Sequence, residues 1–279
     1  MISGKARLAG VIGWPIGHSR SPRLHAYWLD RYGIDGAYIP LKVPPDRLAY
    51  VLRALAYAGF KGVNVTVPHK EAALTLMDEV SPEARRIGAV NTIVFDDRER
   101  MIGSNTDGYG FIENIRSGHP SWTATSGPAV VLGSGGAARA VCAALLAQGS
   151  PEIRLINRTP ERAMTVAGDL GGPIQVIPWA ERFFVLNDCS LLVNTTTLGM
   201  QGGLPLDLDL SRLPVSALVT DIVYTPLETE LLRTARARGN PVMDGLGMLL
   251  HQARPGFSLW FGVEPEVTPA LRDWVLGTG

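Results

Sequence analysis

Cysteine is scarce in this chain of 279 residues, and so is charge. The two cysteines, Cys142 and Cys189, are too few for a disulfide framework or a metal site of their own, which favours a reducing compartment. Charged residues make up 19% of the chain, and the 26 basic and 26 acidic groups balance, so no basic face for nucleic acid is expected. No apolar run reaches the roughly 18 residues that span a bilayer. We therefore expect a soluble globular protein with no metal, nucleic-acid or membrane partner.

Two further scarcities concern the start of the chain and its lysines. The opening MISGKARLAG lacks the continuous apolar stretch of a secretory signal, so a cytoplasmic protein is expected. The lysines among the 26 basic residues are Lys5, Lys42, Lys61 and Lys70, and all the others are arginines. An arginine does not release its proton near neutral pH, whereas a desolvated lysine does. A lysine beside a reacting group is therefore a candidate for proton transfer.

Hydrophobic residues make up 46% of the chain and fall into two successive strand and helix patterns. The second half alternates β-rich runs with helix-like stretches, which predicts a Rossmann-type doubly wound parallel sheet. Its predicted strands are 129–132, 153–156, 174–177, 190–193 and 218–222, and its predicted helices are 138–146, 161–170 and 228–238. The first half predicts an N-terminal α/β domain, a sheet covered by helices. Its predicted strands are 6–12, 36–41, 62–66 and 91–95, and its predicted helices are 22–32 and 47–58.

Composition changes at two places along the chain. The stretch 117–127, SGHPSWTATSG, is polar and rich in turn residues, so it predicts a domain boundary between the two patterns. After Asp244 the pattern becomes helical, and the pair Pro255-Gly256 is expected to kink or interrupt the first helix. The pattern alone does not say on which domain these last helices pack.

A glycine-rich turn joins the predicted strand at 129–132 to the helix that follows it. Gly133, Gly135 and Ala138 match the pattern G-x-G-x-x-A of dinucleotide sites. In such sites the first glycine permits the tight turn, and the second lets the pyrophosphate approach the backbone. The small third residue lets helix and strand pack closely. The flanking strand and helix favour a cofactor, and the alternative is a close-packed turn with no ligand.

The residues after the next strand indicate which dinucleotide binds. An NAD site usually carries a carboxylate here, whereas the 2′-phosphate of NADP requires positive charge and hydrogen-bond donors. The sequence reads Asn157-Arg158-Thr159, with Arg162 one helical turn later and no acid at the turn. We therefore predict NADP as the cofactor. The alternative is that Arg158 and Arg162 are ordinary surface arginines, the common fate of this residue type.

Polar side chains follow several predicted strands of the N-terminal domain. Asn64, Thr66 and Lys70 lie in GVNVTVPHK, where a strand ends and a helix begins. Asn91 follows GAV, and Asp107 lies in SNTDG. Since ligands of open α/β sheets bind beyond the carboxyl ends of strands, we predict a reaction site with Lys70 as base and Asp107 as its partner. The alternative is that Lys70 is an exposed residue at a helix start and that Asp107 caps the next helix.

Two hydroxyls flank a predicted helix start in the segment GWPIGHSRSP. Pro22 fits the first helical position and Ser21 the N-cap, which explains Ser21 in full. Ser19 has no such structural explanation. Paired hydroxyls beside a helix N-terminus would also suit a carboxylate, because donors and dipole both favour negative charge. His18 and His69 are more typical of structural histidines.

Nine motifs, taken in order along the chain, resemble those of one family. They are GWPIGHSRSP, GVNVTVPHK, GAVNT, GSNTDG, GSGGAARA, NRT, NTTTLGM, DIVYTPLET and DGLGMLLHQA. On these motifs the chain is similar to shikimate dehydrogenase, an NADP-dependent oxidoreductase of aromatic amino-acid biosynthesis. The resemblance covers nearly the whole chain and implies reversible reduction of 3-dehydroshikimate to shikimate. It also implies that a catalytic domain faces a Rossmann domain across a cleft, and that the C-terminal helices return to the catalytic domain.

The resemblance further implies a domain division and roles for individual residues. The substrate domain would comprise residues 1–117 and 245–279, and the NADP domain residues 118–244. Lys70 and Asp107 would form the catalytic pair. The substrate-binding residues would be Ser19, Ser21, Thr66, Asn91, Tyr224 and Gln252. The cofactor-binding residues would be Gly133, Ser134, Gly135, Gly136, Ala137, Asn157, Arg158, Thr159, Arg162, Ile222 and Gly245.

Within the substrate site, the two serines would bind the carboxylate of the substrate. Thr66, Asn91 and Gln252 would hold ring hydroxyls, and the pocket would be closed by Tyr224. Thr195 and Thr196 of NTTTLGM would line the cleft through their backbone. Ile222 stands where many members of the family have methionine, and this change between apolar residues would only reshape the nicotinamide pocket.

Two other functions stay open at this point. One is a quinate/shikimate dehydrogenase that accepts NAD, although the two serines and Arg158 argue against it. The other is a non-catalytic nucleotide-binding regulator, which the complete motifs around Lys70 and Asp107 disfavour. A small molecule is the expected partner of the chain. A homodimer is an assembly that the sequence leaves open.

Overall fold

A computed structural model describes residues 2–277. The chain forms two compact units. The first unit comprises Met1–Thr106 and Leu249–Gly279, and the second unit comprises Asp107–Met248. The chain therefore leaves the first unit once and returns to it near its C-terminal end.

The first unit contains a mixed sheet with helices packed on it. Its elements before the second unit are β1 (Arg7–Gly13), α1 (Ser21–Arg31), β2 (Gly36–Lys42), α2 (Leu48–Tyr57), β3 (Gly62–Val65), α3 (Lys70–Leu74), β4 (Glu79–Val80), α4 (Pro82–Ile87), β5 (Thr92–Phe95) and β6 (Met101–Ser104). The strand order is β2-β1-β3-β5-β6-β4. Strand β5 is antiparallel to its neighbours β3 and β6, whereas the other neighbouring pairs are parallel.

The second unit contains the predicted doubly wound sheet. Its elements are α5 (Asp107–Gly118), β7 (Ala129–Leu132), α6 (Gly136–Ala147), β8 (Ile153–Asn157), α7 (Pro160–Leu170), β9 (Ile174–Pro178), β10 (Leu191–Asn194), β11 (Leu218–Asp221), α8 (Glu230–Ala237) and β12 (Val242–Met243). The order β12-β11-β10-β7-β8-β9 is parallel throughout. Counted from β7, this is the 3-2-1-4-5-6 order of Rossmann folds, so the predicted fold class is confirmed.

The central strands of the second unit, β7 and β10, are mostly apolar because both faces of the sheet are covered there. All residues of β7 and β10 are buried, as expected for the central strands of a parallel sheet. Short apolar runs therefore specify these strands more clearly than alternation would. The neighbouring carboxyl ends of β7 and β10 lie where the strand order reverses, which is the usual ligand-binding point of such sheets.

Two C-terminal helices complete the chain, namely α9 (Gly245–Phe261) and α10 (Pro269–Leu276). Of the two effects expected of Pro255, interruption is wrong, because α9 runs through this residue as one helix, and a kink there stays a prediction. The proline removes one main-chain hydrogen bond, but the turns after it are anchored in the core. Phe257 and Phe261 are fully buried, and Nε1 of Trp260 donates to the carbonyl oxygen of Ile93 at 3.0 Å. Helix α10 packs against α1.

The units divide at positions that differ from the boundaries expected from the sequence. The chain passes from one unit to the other after Thr106 and after Met248, rather than after residues 117 and 244. Helix α5 accounts for the first difference, because it packs against α6. A Cβ built on Gly108 of α5 would lie 3.0 Å from the carbonyl oxygen of Ala140, which is tighter than an ordinary contact, so glycine favours this close approach of the two helices.

Candidate active site

The candidate substrate residues of the first unit follow from the direction of its strands. Strands β1, β3 and β6 are parallel, and β5 runs opposite to them. Their carboxyl ends therefore share one edge of the sheet with the start of β5. Thr66 follows β3, Asn91 precedes β5 and Thr106 follows β6, so all three lie at this edge.

Asn91 is the centre of a buried hydrogen-bond network at this edge. Its Nδ2 donates to Oγ1 of Thr106 at 3.0 Å and to Oε1 of Gln252 at 3.2 Å. Its Oδ1 accepts from the main-chain N–H of Thr106 and from Oγ1 of Thr92, both at 2.9 Å. Asn91 is 2% exposed, and Gln252 on α9 is also buried. The structure thus brings together two predicted substrate residues that are far apart in sequence.

The network continues through Asn64 and Tyr38. Nδ2 of Asn64 donates to the carbonyl oxygen of Asn91 and to Oγ1 of Thr92, both at 3.1 Å. The hydroxyl of Tyr38 donates to Oδ1 of Asn64 at 2.6 Å, and the side chain of Ser21 also bonds to Tyr38. Burial raises the pKa of Tyr38 well above its usual value, so the phenol keeps its proton.

Three of these network residues were not assigned a role from the sequence. They are Tyr38, Thr92 and Thr106, and each is buried. Asn64 does carry a signal, because it is an amide within the fully buried strand β3. The others look like ordinary strand or loop residues until the register of the sheet is known.

The two serines near the start of α1 have different positions from those expected. Ser21 is the first residue of α1 and Arg20 is the N-cap, so the assignment of Ser21 as N-cap is wrong. The hydroxyl of Ser19 instead accepts a hydrogen bond from the main-chain N–H of Ser21 at 3.3 Å. The helix begins one residue earlier than expected, so Pro22 is its second residue. Both hydroxyls nevertheless lie at the start of the helix.

Lys70 and Asp107 each begin a helix. Lys70 is the half-buried first residue of α3, and its carbonyl oxygen accepts from the main-chain N–H of Val90 at 2.9 Å. The preceding His69 is buried, and its Nε2 bonds to the carbonyl oxygen of Val43 at 2.8 Å, which is a structural role. Asp107 is buried and is the first residue of α5. Lys70 belongs to the first unit and Asp107 to the second.

The glycine turn of the second unit has the geometry that a dinucleotide requires. Gly133 has φ +111°, and a Cβ built on it would lie 2.6 Å from Oγ1 of Thr195. Gly135 is the N-cap of α6, and within the described part of the chain no side chain caps this helix. A Cβ built on Gly135 would have no described atom within 4 Å. The turn therefore offers N–H groups and open space to a pyrophosphate.

The turn after β8 supplies the charge that a 2′-phosphate requires. Nδ2 of Asn157 donates to the carbonyl oxygen of Thr159 at 2.9 Å, which shapes the turn. Arg158 and Arg162 are both exposed. Arg158 lines a cavity of about 400 Å³. The other lining residues are Thr197, Leu198, Met200, Gln201, Gly202, Gly203 and Leu204. These residues fit NADP, since a cation lies at the turn and no carboxylate does.

Two more predicted cofactor residues lie together beyond β11. Ile222 follows β11, and Gly245 is the first residue of α9. A Cβ built on Gly245 would collide with the carbonyl oxygen of Ile222, so the two main chains touch. Tyr224 is half-buried in the same segment. The neighbouring carboxyl of Asp221 is buried, and this burial raises its pKa to about 6.

Within residues 2–277, no group of three or more histidine, cysteine, aspartate or glutamate side chains is arranged to hold a metal ion. Cys142 and Cys189 are buried free thiols. None of the helices described is both long enough and apolar enough to cross a membrane.

The order of the parallel sheet, the open glycine turn and the arginine beyond β8 define the class of dinucleotide-binding α/β enzymes. Comparison with known families identifies which one. Residues 11–93 match the family described as "Shikimate dehydrogenase substrate binding domain". Residues 245–272 match the family described as "Shikimate 5'-dehydrogenase C-terminal domain".

Individual relatives agree with these matches along the whole chain. A shikimate dehydrogenase (NADP⁺) of Paramagnetospirillum magneticum is 63% identical and covers 99% of this chain and 100% of its own. The crystal structure of shikimate 5-dehydrogenase from Thermus thermophilus with NADP(H) and shikimate is 39% identical, with a TM-score of 0.86 over 98% and 99% of the two chains. Quinate dehydrogenase from Corynebacterium glutamicum with NAD is 33% identical, with a TM-score of 0.90 over 98% and 99%. The chain belongs to the shikimate dehydrogenase (NADP⁺) family.

Family membership confirms several expectations from the sequence. The chain is an NADP-dependent enzyme, an oxidoreductase of the shikimate pathway. The predicted cofactor and the stated resemblance are therefore confirmed. Neither the NAD-linked quinate enzyme nor the non-catalytic regulator is favoured, since the shikimate dehydrogenase (NADP⁺) of Paramagnetospirillum magneticum is 63% identical and the quinate dehydrogenase 33%.

Proposed function

We propose that this enzyme reversibly reduces 3-dehydroshikimate to shikimate with NADPH, with the substrate held by the first unit and the cofactor by the second. The observation that carries the proposal is the buried network centred on Asn91. It offers several amide and hydroxyl groups at one sheet edge, in an order fixed by hydrogen bonds. Such an arrangement suits a ligand with several hydroxyls on a rigid ring.

The substrate site would use neutral groups for the ring and a helix start for the carboxylate. Asn91, Gln252 and Thr66 would hold ring hydroxyls, because amide and hydroxyl groups both donate and accept. Ser19 and Ser21 would donate to the carboxylate at the start of α1, where the helix dipole also favours negative charge. We propose that Tyr224 closes this pocket.

Proton transfer would fall to Lys70 and Asp107. Oxidation of a secondary alcohol removes a hydride from carbon and a proton from oxygen, so a base must reach that oxygen. Bound NADP⁺ supplies the hydride acceptor. We propose that Lys70 takes the proton, and that Asp107 orients the lysine or shares the proton.

The cofactor site would combine main-chain groups with one cationic turn. The glycine turn would bind the pyrophosphate at the start of α6, and the turn after β8 would bind the 2′-phosphate. Ile222 and Gly245 would lie near the nicotinamide. The remaining proposed cofactor residues are Gly133, Ser134, Gly135, Gly136, Ala137, Asn157, Arg158, Thr159 and Arg162.

Two properties of the enzyme in the cell are also proposed. We infer a cytoplasmic location, in keeping with the two free thiols and the pathway to which the enzyme belongs. A homodimer is the assembly to be tested, and light scattering after size exclusion would give the mass directly.

A spectrophotometric assay of four reactant pairs tests the proposed reaction. Purified enzyme would be given shikimate or quinate, each with NADP⁺ or NAD⁺, and kcat/KM would be measured for each pair. We expect shikimate with NADP⁺ to be the best pair. Quinate with NAD⁺ as an equal or better pair would contradict the proposal.

A further inference from the structure

A buried carboxylate of the second unit has no role in the proposed reaction. Asp221 is the last residue of β11 and is 1% exposed. It accepts hydrogen bonds from the main-chain N–H of Val223 at 3.0 Å, from Nδ2 of Asn194 at 3.0 Å and from Oγ1 of Thr229 at 2.8 Å. These donors come from two segments, the end of β10 and residues 221–229, and all are uncharged. The carboxylate therefore adds side-chain bonds to the main-chain pairing of Asn194 with Asp221 and also holds Thr229, eight residues further along the chain.

Asn194 extends these contacts to the segment after β10. Its Nδ2 also donates to the carbonyl oxygen of Leu198 at 3.1 Å. Its Oδ1 accepts from the N–H of Thr196 at 3.0 Å and from Oγ1 of Thr196 at 2.7 Å. Oγ1 of Thr196 in turn accepts from the N–H of Leu198 at 3.1 Å. One amide thus fixes the conformation of residues 194–198 while it is held by Asp221.

Thr229 fixes the far end of the other segment. It is the N-cap of α8, where its Oγ1 accepts from the N–H of Leu232 at 3.4 Å and donates to Asp221. Because Val223 and Thr229 both bond to Asp221, residues 221–229 form a loop whose ends meet at one carboxylate. Tyr224 lies within this loop.

We propose that Asp221 is a positioning residue that locks residues 194–198 and residues 221–229 in their working conformations. The inference rests on the proposed function, because the second segment carries Ile222 and Tyr224, which are assigned to the cofactor and the substrate. Asp221 acts through those residues rather than on either ligand. A carboxylate suits this position because both of its oxygens accept hydrogen bonds, whereas an amide has one oxygen and a nitrogen that donates.

The first test replaces Asp221 by asparagine, which keeps the shape of the side chain. In Asp221→Asn the side chain has one acceptor oxygen in place of two, so at least one of the three buried donors would lose its acceptor. We expect the KM for shikimate and the dissociation constant of NADP⁺ each to rise on the order of tenfold. Asp209→Asn is the matched control, since the exposed Asp209 also accepts from one N–H and one hydroxyl, both of Ser211 at 2.8 Å. The control should leave both constants unchanged.

The second test separates positioning from stability alone. Thr229→Val removes the hydroxyl that bonds to Asp221, whereas Thr229→Ser keeps it. Both variants would be measured well below their melting temperatures, where they are folded. KM and dissociation constants do not depend on the fraction of active enzyme, so a change in them reports on the folded site. Positioning requires that Thr229→Val raises the constants and that Thr229→Ser restores them. A lower melting temperature of Thr229→Val with wild-type constants would overturn the inference.

The wild-type enzyme separates failure of this inference from failure of the proposed function. If wild type does not oxidise shikimate with NADP⁺, the proposed function is wrong, and the dissociation constants for NADP⁺ still test Asp221. If wild type is active and Asp221→Asn keeps both constants, only the positioning role is wrong. Should Asp221→Asn fail to fold, the two Thr229 variants decide the question.

Discussion

The two units present their candidate site residues in different ways. In the first unit, side chains such as Asn91 and Gln252 bond to one another, and the buried network contains only uncharged groups. In the second unit, the glycine turn offers main-chain groups, and the buried network centres on the carboxylate of Asp221. We therefore expect a substitution at a site residue of the first unit to act by removing a reacting or hydrogen-bonding side chain. In the second unit we expect it to act by filling the space that the cofactor needs, by removing a charge or by changing the main-chain conformation.

Lys70 gives the largest expected effect and tests the chemistry of the first unit. Lys70→Ala should lower kcat by about 10² to 10⁴, because a positioned base is lost, and should leave NADP⁺ affinity nearly unchanged. Lys70→Arg should not restore activity, since arginine keeps its proton. Lys61→Ala is the control, as Lys61 is an exposed lysine of the same unit. A loss below threefold in Lys70→Ala, measured by steady-state kinetics, would make Lys70 a structural residue.

The buried carboxyl of Asp221 should make the free energy of unfolding depend on pH. Its pKa is raised to about 6 in the folded protein, so the unfolded chain releases this proton at lower pH than the folded chain does. Wild type should therefore lose stability relative to Asp221→Asn as pH rises from 4 to 7, by about 2 kcal/mol. Urea unfolding of both proteins at the two pH values measures this. A difference that does not vary with pH would contradict it.

Alanine substitutions at two glycines of the turn separate the effect of main-chain conformation on stability from the effect of occupied space on NADP⁺ binding. Gly133→Ala should lower the free energy of unfolding by about 1 to 3 kcal/mol, because alanine is strained at φ +111° and would press on Thr195. Gly135→Ala should leave stability unchanged, since its φ is −84°. It should still weaken NADP⁺ binding, because a methyl group would stand where the pyrophosphate approaches. Melting curves and NADP⁺ titrations of both variants check this, and wild-type NADP⁺ affinity in Gly135→Ala would contradict the proposed phosphate position.

Arg158 gives the smallest expected effect, because it is exposed to solvent. Arg158→Ala should weaken NADP⁺ on the order of tenfold and NAD⁺ hardly at all, since the lost contact is to the 2′-phosphate. Isothermal titration with each dinucleotide measures the difference. Arg154→Ala is not a suitable control, because Arg154 pairs with Asp188 and Glu152. Arg236→Ala, on α8, is suitable, because the ion pair of Arg236 with Glu228 is exposed to solvent and contributes little, whereas the Arg154 side chain is largely buried. Equal weakening of both dinucleotides would refute the assignment.

The sequence predicted the second unit better than the first. The glycine turn and the charge after β8 are local features, so Gly133, Gly135 and Arg158 could be found from spacing and residue type. The buried runs of β7 and β10 likewise follow from composition. Sheet order and strand direction depend on contacts between distant segments. The four residues of β5 do not themselves indicate whether the strand runs parallel or antiparallel to its neighbours. The antiparallel course of β5 therefore could not be predicted.

The errors and omissions have equally physical causes. A serine before Pro22 fits an N-cap by residue type. In the structure the helix starts one residue earlier, and Ser21 is its buried first residue. Pro255 usually ends a helix, but burial of the aromatic residues after it outweighs one lost hydrogen bond. Tyr38 and Thr106 acquire roles only through partners far away in the sequence.

The reversed strand β5 also shows where the first unit would tolerate change. Strands β5 and β6 form a hairpin that both begins and ends at the sheet edge of the proposed substrate site, at Asn91 and Thr106. Its turn, residues 96–100, therefore lies at the opposite end of the strands. There Oδ1 of Asp96 accepts from the N–H groups of Arg98 and Arg100, each at 2.9 Å. A peptide tag or reporter inserted into this exposed tip would lengthen the hairpin away from the reacting alcohol, which makes it a natural attachment point for labelling the working enzyme.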